Sequence, residues 1–475
     1  MKYRFLCVTS LFGILYSFFL WIIGSILENR QEIWLALAIL HIAIAAYSFI
    51  DLNYNMLLLM FDFTLFYFDT SSFIINGIFD NQIESWAIKY DITWELEYKA
   101  NTIYLISLFL IFICFHIAKK IRIKAKSGEK YVIPSSVYAN NKLMKVSRVV
   151  FYIGATAKLI EIIEKTIFVQ QTSYLNYYDT FVSHLPTSIL RIAGFMLPAF
   201  CVFCVCMPDK KEFRKLAIIY LGLGLLSLLY GQRNPFALAL IFVVFYVFFR
   251  QKYCSNGQVW INSKQIIALV VVLFVIMLLM TGYGFWRNNL SSGNVFKQFF
   301  NNMAGESSGF LVLHELNYHD LIPDNHYVFG GVINYFTNNI IGRILGINVS
   351  YASNVEYALY GNSYGNTITY LIAPNVYEYG GGMGSNYLAE AFHDFSWFGV
   401  VIISSLYGVI LSRAVHSMIY MSNRHPYVSA CFLMMIQSIL YAPRAEALGF
   451  ITTSLLSWHT MIALIFISLL KRCAI

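Results

Sequence analysis

Runs of about 20 apolar residues, the length needed to cross a bilayer as a helix, recur from one end of this chain to the other. Backbone groups inside lipid have no water to bond, so only α-helices or closed barrels can carry such runs. The runs are continuous rather than alternating, which means helices and not barrel strands. Charge is also too scarce to coat a soluble protein: 12% of 475 residues are charged, 58% are hydrophobic and the mean hydropathy is +0.61. An ordinary soluble domain carries roughly 25% charged residues. The sequence therefore predicts an all-α, polytopic transmembrane bundle.

Spans are predicted at 5–27, 33–50, 56–77, 102–118, 148–168, 187–207, 216–230, 236–250, 265–283, 396–412, 427–441 and 450–470, about twelve in all. The first follows Lys2 and Arg4 as a signal peptide would, but its length reads as an uncleaved helix. With the N-terminus inside, about 22 Lys and Arg residues fall on the inner side and 9 on the outer. Both termini are then cytoplasmic. The net charge of +8 sits in loops beside the spans, where it sets orientation, so no nucleic acid partner is implied. Three regions follow: an N-terminal bundle of about nine spans (1–283), a large outer loop (284–395) and a C-terminal group of about three spans (396–475). The loop is too long for a mere connection, and function is sought there. Within it VINYFTNNIIGRILGI, 332–347, predicts an amphipathic helix on the membrane, or else a re-entrant hairpin.

Six of the nine outer cations are arginines: Arg30, Arg191, Arg233, Arg287, Arg343 and Arg444. Orientation needs only positive charge, whereas a guanidinium offers paired donors to phosphate or carboxylate oxygens. Arg233, Arg287 and Arg444 lie where a span meets the outer surface, at head-group depth, and Arg191 about one turn inside its span. Each alone could be an interfacial anchor; together they point to an anionic ligand.

The stretch YEYGGGMGSNYLAEAFHDF, from Tyr377 to Phe395, predicts a glycine-rich entry to a helix beginning near Ser385. Glu390 and Asp394 share one face at i and i+4, with His393 beside them. A carboxylate or imidazole there could take a proton from a sugar hydroxyl, although acids at a helix start also simply favour its dipole. His314, Glu315, His319, Asp320 and His326 cluster in the loop. HELNYH sets its histidines at i and i+5, not as HExxH, so no metal is expected. Cys201, Cys204 and Cys206 lie within an apolar span and read as core. Asp62, Asp69, Glu161 and Lys165 fall inside spans, marking either an ion path or helix-to-helix pairs.

GMGSNYLAEAFHDFSWFGV (382–400), GQRNP (231–235) and PRAEA (443–447), with the layout of many spans and one large outer loop, resemble Wzy-type O-antigen polymerases over the chain from about 220 onward. The resemblance implies a GT-C-like fold in the bacterial inner membrane and a metal-independent glycosyl transfer on the periplasmic face, without cofactor. Donor and acceptor would be undecaprenyl-diphosphate-linked oligosaccharides, with a flippase and a chain-length regulator of the same pathway as partners. In that chemistry Arg191, Arg233, Arg287, Arg343 and Arg444 would hold the diphosphate, and Glu390, His393 or His314 would accept the proton. Tyr377, Tyr379, Tyr387 and Trp397 could offer faces to sugar rings. Two other functions fit a chain of this kind: an O-antigen ligase, and a lipid-linked oligosaccharide flippase or transporter.

Overall fold

A computed structural model describes residues 2–71, 73–75, 93–125, 141–172, 177, 180–253, 259–262, 264–265, 309–337, 342, 344, 354–420 and 426–472. Among these residues every regular element is helical. Seven helical stretches are long and apolar enough to cross a membrane: Arg4–Ile26, Arg30–Thr70, Trp94–Lys120, Thr187–Val205, Lys210–Tyr230, Asn234–Gln251 and Tyr387–Met418. The chain is a multi-pass membrane protein.

Two predicted spans, 33–50 and 56–77, merge in the stretch Arg30–Thr70, yet the chain does not run straight through it. Helix α1 is Lys2–Ile26, α2 is Arg30–Ser48 and α3 is Leu52–Leu65, extended by a wide π turn, Phe66–Thr70. In a straight helix residues 21 apart would lie about 32 Å apart. Instead His41 Nδ1 meets Asp62 Oδ1 at 2.8 Å and His41 Nε2 meets Thr70 Oγ1 at 2.9 Å, so α3 folds back along α2. The reversal comes at Phe49–Asp51, where Asp51 leaves helical geometry (φ −138°, ψ 66°).

Helix α4, Trp94–Ala125, covers the predicted span 102–118, and α5, Asn141–Gln171, covers 148–168. Its charges keep α5 out of the apolar seven, and they pair within the helix: Lys158 and Lys165 donate to Glu161 at 2.9 and 2.6 Å. Asp62 pairs with His41, and Asp69 accepts from Asn386. The first group pairs along one helix and the two aspartates tie helices together, and both kinds of pairing offset the cost of burying charge.

Next come α6 (Thr187–Ala193), α7 (Met196–Val205), α8 (Lys210–Leu226) and α9 (Asn234–Tyr253). Cys201, Cys204 and Cys206 are buried in α7 and its end, as core residues. The predicted span 265–283 lies outside the described residues. Short helices follow: α10 (Gly309–Tyr318), α11 (Gly330–Thr337), α12 (Val355–Tyr360), α13 (Tyr364–Ile372) and α14 (Pro374–Glu378). Only the first half of the predicted 332–347 helix is described, as α11.

Helix α15 runs Tyr387–Tyr420 but breaks at Ser396 (φ 50°, ψ −142°), just where the predicted span 396–412 opens. The two last predicted spans are α16, Pro426–Leu440, and α17, Trp458–Arg472, the latter preceded by a wide turn at Ile451–Leu455. Small residues line the closest helix seams, as lipid-embedded packing requires. Ser404 Oγ donates to Ser107 Oγ at 2.8 Å across α15 and α4, and a Cβ on Gly408 would strike the Ile111 carbonyl.

Candidate active site at one mouth of the bundle

Asn386 caps α15: its Oδ1 accepts the Leu388 and Ala389 amides at 2.8 and 3.2 Å, satisfying two donors that the helix leaves open. Its amide nitrogen, fully buried, donates to Asp69 Oδ1 at 2.9 Å and to the Pro443 carbonyl at 3.0 Å. One turn on, Glu390 is buried with both oxygens engaged. Oε1 accepts from Ser385 Oγ at 2.5 Å and Oε2 from the Ala447 amide at 2.7 Å. The glycine entry, the start of α15, the π turn of α3 and the turn 442–449 are thereby fastened together.

That fastening aims the side chains of PRAEA. Arg444 packs beside Gly384, where φ is +81°, a conformation that suits glycine, and its guanidinium sits 5.9 Å over the Phe68 ring. Phe68 in turn stands edge-on to Tyr441, 5.4 Å away. The Tyr441 hydroxyl accepts from Asn234 Nδ2 at 2.7 Å, bringing GQRNP to the same place. Burial raises the Tyr441 hydroxyl above its ordinary value, while the guanidiniums of Arg444 and Arg233 act on it in the opposite sense. Two arginines from turns more than 200 residues apart (Asn234 and Tyr441 are separated by 207) thus share one mouth.

Glu446 completes this group. Its carboxylate is desolvated, and among the described residues no cation or hydrogen-bond donor satisfies it; burial alone raises its carboxyl above the usual range. It lies over the start of α11, where a Cβ on Gly331 would collide with Oε2, and within electrostatic reach of Tyr357 and Glu390. A desolvated carboxylate in the same turn as Arg444 can accept a proton while a guanidinium stabilises a departing anion. Sequence reasoning quoted PRAEA for its arginine and passed over its acid. The available signal was a charged residue in an otherwise apolar turn between two spans.

The histidines assemble separately. Glu315, on α10, is fully buried and accepts at one oxygen, Oε1, from His319 Nδ1 at 2.7 Å and His393 Nδ1 at 2.9 Å. Tyr327 covers the His393 ring at 4.9 Å between centroids, and its amide and that of Val328 donate to Asp394 at 3.1 and 2.9 Å. His393 is therefore joined to Glu315 and not to Glu390. His314 is buried on α10, which packs against α4 and α15, and burial pushes its imidazole down to about 4.

Of the predicted anion-binding arginines, Arg233 and Arg444 are brought together. Arg191 is exposed on α6, with its carbonyl bonded to His459 Nε2 at 2.8 Å, and Arg287 and Arg343 lie outside the described residues. Tyr377 and Tyr387 are buried, whereas Tyr379 and Trp397 are exposed.

A bundle of apolar helices, seven of them long enough to cross a membrane, defines the class: an integral, multi-pass membrane protein. The family model for O-antigen polysaccharide polymerase Wzy matches residues 3–474, nearly the whole chain, and the chain belongs to that family. Its function is accordingly O-antigen polymerisation, with lipid-linked oligosaccharides as substrates. Neither curated proteins nor solved structures gave a match.

Proposed function

We propose that the chain joins undecaprenyl-diphosphate-linked oligosaccharide repeat units on the periplasmic face of the inner membrane, with both termini in the cytoplasm and the mouth at head-group depth. The acceptor sugar hydroxyl attacks the anomeric carbon of the donor. Its proton passes to the Glu446 carboxylate, and the bond to the diphosphate breaks with its electron pair on the leaving oxygen. Arg233 and Arg444 hold that diphosphate, with Arg191, Arg287 and Arg343 as further cations on the same side. No metal acts on the reacting atoms. Glu390 and Asn386 position the turn that carries Arg444 and Glu446. His393 and His314 then serve the loop and not the proton transfer. A flippase supplies the lipid-linked units, and a chain-length regulator acts alongside.

The observation that carries this reading is that Arg233 and Arg444 both lie within electrostatic reach of Tyr441, with Glu446, unpaired among the described residues, two positions beyond Arg444. Enzymatic transfer needs charge stabilisation and a proton acceptor in one place, and the mouth offers both.

The test is complementation of a deletion strain with R233A, R444A and E446Q, reading the lipopolysaccharide ladder against protein level in the membrane. Each variant should be present at normal level and leave lipopolysaccharide capped by a single unit. Bare core in the deletion strain would instead identify a ligase. Normal ladders from all three variants would remove the mouth from the reaction.

A further inference from the structure

We propose that Glu315, His319 and His393 form a binding site for one divalent transition-metal ion, zinc foremost, that clamps the α10 segment to α15. The site is distinct from the mouth, and the inference stands whether or not Glu446 takes the proton.

Each of the three side chains offers one ligand atom, and these atoms all lie within 4.8 Å of one another. Two imidazole nitrogens and a carboxylate oxygen are the donor types zinc favours, at bond lengths of about 2.0–2.2 Å. Ligand atoms at such distances around a tetrahedral ion lie roughly 3.4 Å apart. The nitrogens stand 2.7 and 2.9 Å from Glu315 Oε1, so a small opening seats the ion.

Glu315 gives the second, independent observation. It is fully buried, and among the described residues its Oε2 accepts no hydrogen bond. Tyr364, whose hydroxyl faces it, has its one proton on the Leu311 carbonyl at 3.2 Å. A buried carboxylate with a vacant oxygen is costly unless a cation compensates it. The surroundings are also those of a built metal site. The His393 ring is packed under Tyr327 and has the Pro323 carbonyl as a further acceptor, contacts that fix its orientation. His319 is 50% exposed, which leaves the remaining coordination position to water. A zinc ion with protein ligands on three sides and water on the fourth is a normal arrangement.

The sequence concealed this set because it invited the pairing of the two histidines in HELNYH. The helix instead pairs Glu315 with His319 at i and i+4, and the third ligand arrives from 78 residues beyond Glu315. An ion there would link two stretches of chain that otherwise meet through hydrogen bonds, and its binding energy would add to the stability of the folded loop.

The experiment uses full-length protein in detergent, free of any polyhistidine tag. Metal content is measured by mass spectrometry after equilibration with zinc chloride, and Co²⁺ is added as a spectroscopic probe. Wild type should hold about one zinc per chain, show visible Co²⁺ absorption and unfold at lower temperature after chelation. H319A, altered at an exposed position, should fold normally yet lose zinc affinity by more than the roughly 100-fold that loss of a supporting hydrogen-bond partner costs. E315Q should lose the Co²⁺ spectrum. Wild-type protein that binds no stoichiometric zinc or cobalt, or an H319A protein that binds both as wild type does, overturns the proposal: the trio is then a proton-sharing network. Because metal content is read without reference to the ladder, this outcome is separable from failure of the polymerisation mechanism.

Discussion

Replacing Gly331 with alanine should separate folding from activity. The added Cβ meets the tip of Glu446, which is flexible, rather than backbone. The carboxylate must swing away, and little else moves. Alanine for glycine in a helix gains at most about 1 kcal/mol, so the folded protein should be as stable as wild type or slightly more so. General-base catalysis contributes about 10²–10⁴-fold, or about 2.7–5.4 kcal/mol of barrier. G331A and E446Q should each approach that loss, and the double variant should be no worse than E446Q, since the same carboxylate is removed both times. Rates of chain growth on lipid-linked units in reconstituted membranes, with thermal unfolding in parallel, supply the cycle. Additive losses, or a G331A enzyme at wild-type rate, would refute the placement of Glu446. Burial holds the folded-state value of Glu446 above its unfolded one. Stability from this group is therefore fullest below the ordinary carboxylate range and falls as pH rises through the raised value. E446Q does not ionise there, so it should be more stable than wild type near neutrality, the difference vanishing in acid.

Arg444→Lys keeps the charge but loses the paired donors, and should fall between wild type and R444A, the latter losing about 10²–10³-fold in rate. Glu390→Gln should stay active, because an amide can accept from Ala447 and donate to Ser385; Glu390→Ala strands both buried partners at about 1–3 kcal/mol each and should lower the unfolding temperature. An inactive, well-folded E390Q would return the base role to Glu390. Ser396→Gly should slow thermal unfolding by relieving a backbone conformation that costs about 1–3 kcal/mol, and unchanged unfolding kinetics would show the break to be unstrained.

Most helices were legible because apolar length is a local property. The 33–50 and 56–77 spans fall within one nearly continuous helical stretch, Arg30–Thr70, which reverses at Phe49–Asp51. The start of α15 was also legible from its glycines and from the cap position that Asn386 fills. What the sequence withheld were relations between distant segments. Nothing in GQRNP or PRAEA says that both turns meet at Tyr441, because that depends on how α9 and α16 end. The roles of Glu390 and Glu446 were likewise hidden. Their difference is one of partners: among the described residues Glu390 receives two donors and Glu446 receives none. His314 and His319 look equivalent in HELNYH, and only the rotation of α10 sends one inward and the other to the rim.

Arg233, Arg444 and Glu446 all sit in tight connections between helices, whereas Gly331 and Tyr357, which lie near Glu446, belong to the long segment between α9 and α15. On the proposed mechanism, the groups that grip the lipid carrier thus sit in short turns between helices, and the groups that would recognise sugars are carried by that long segment. Exchanging that segment between relatives should therefore transfer preference for the sugar while leaving the carrier requirement untouched.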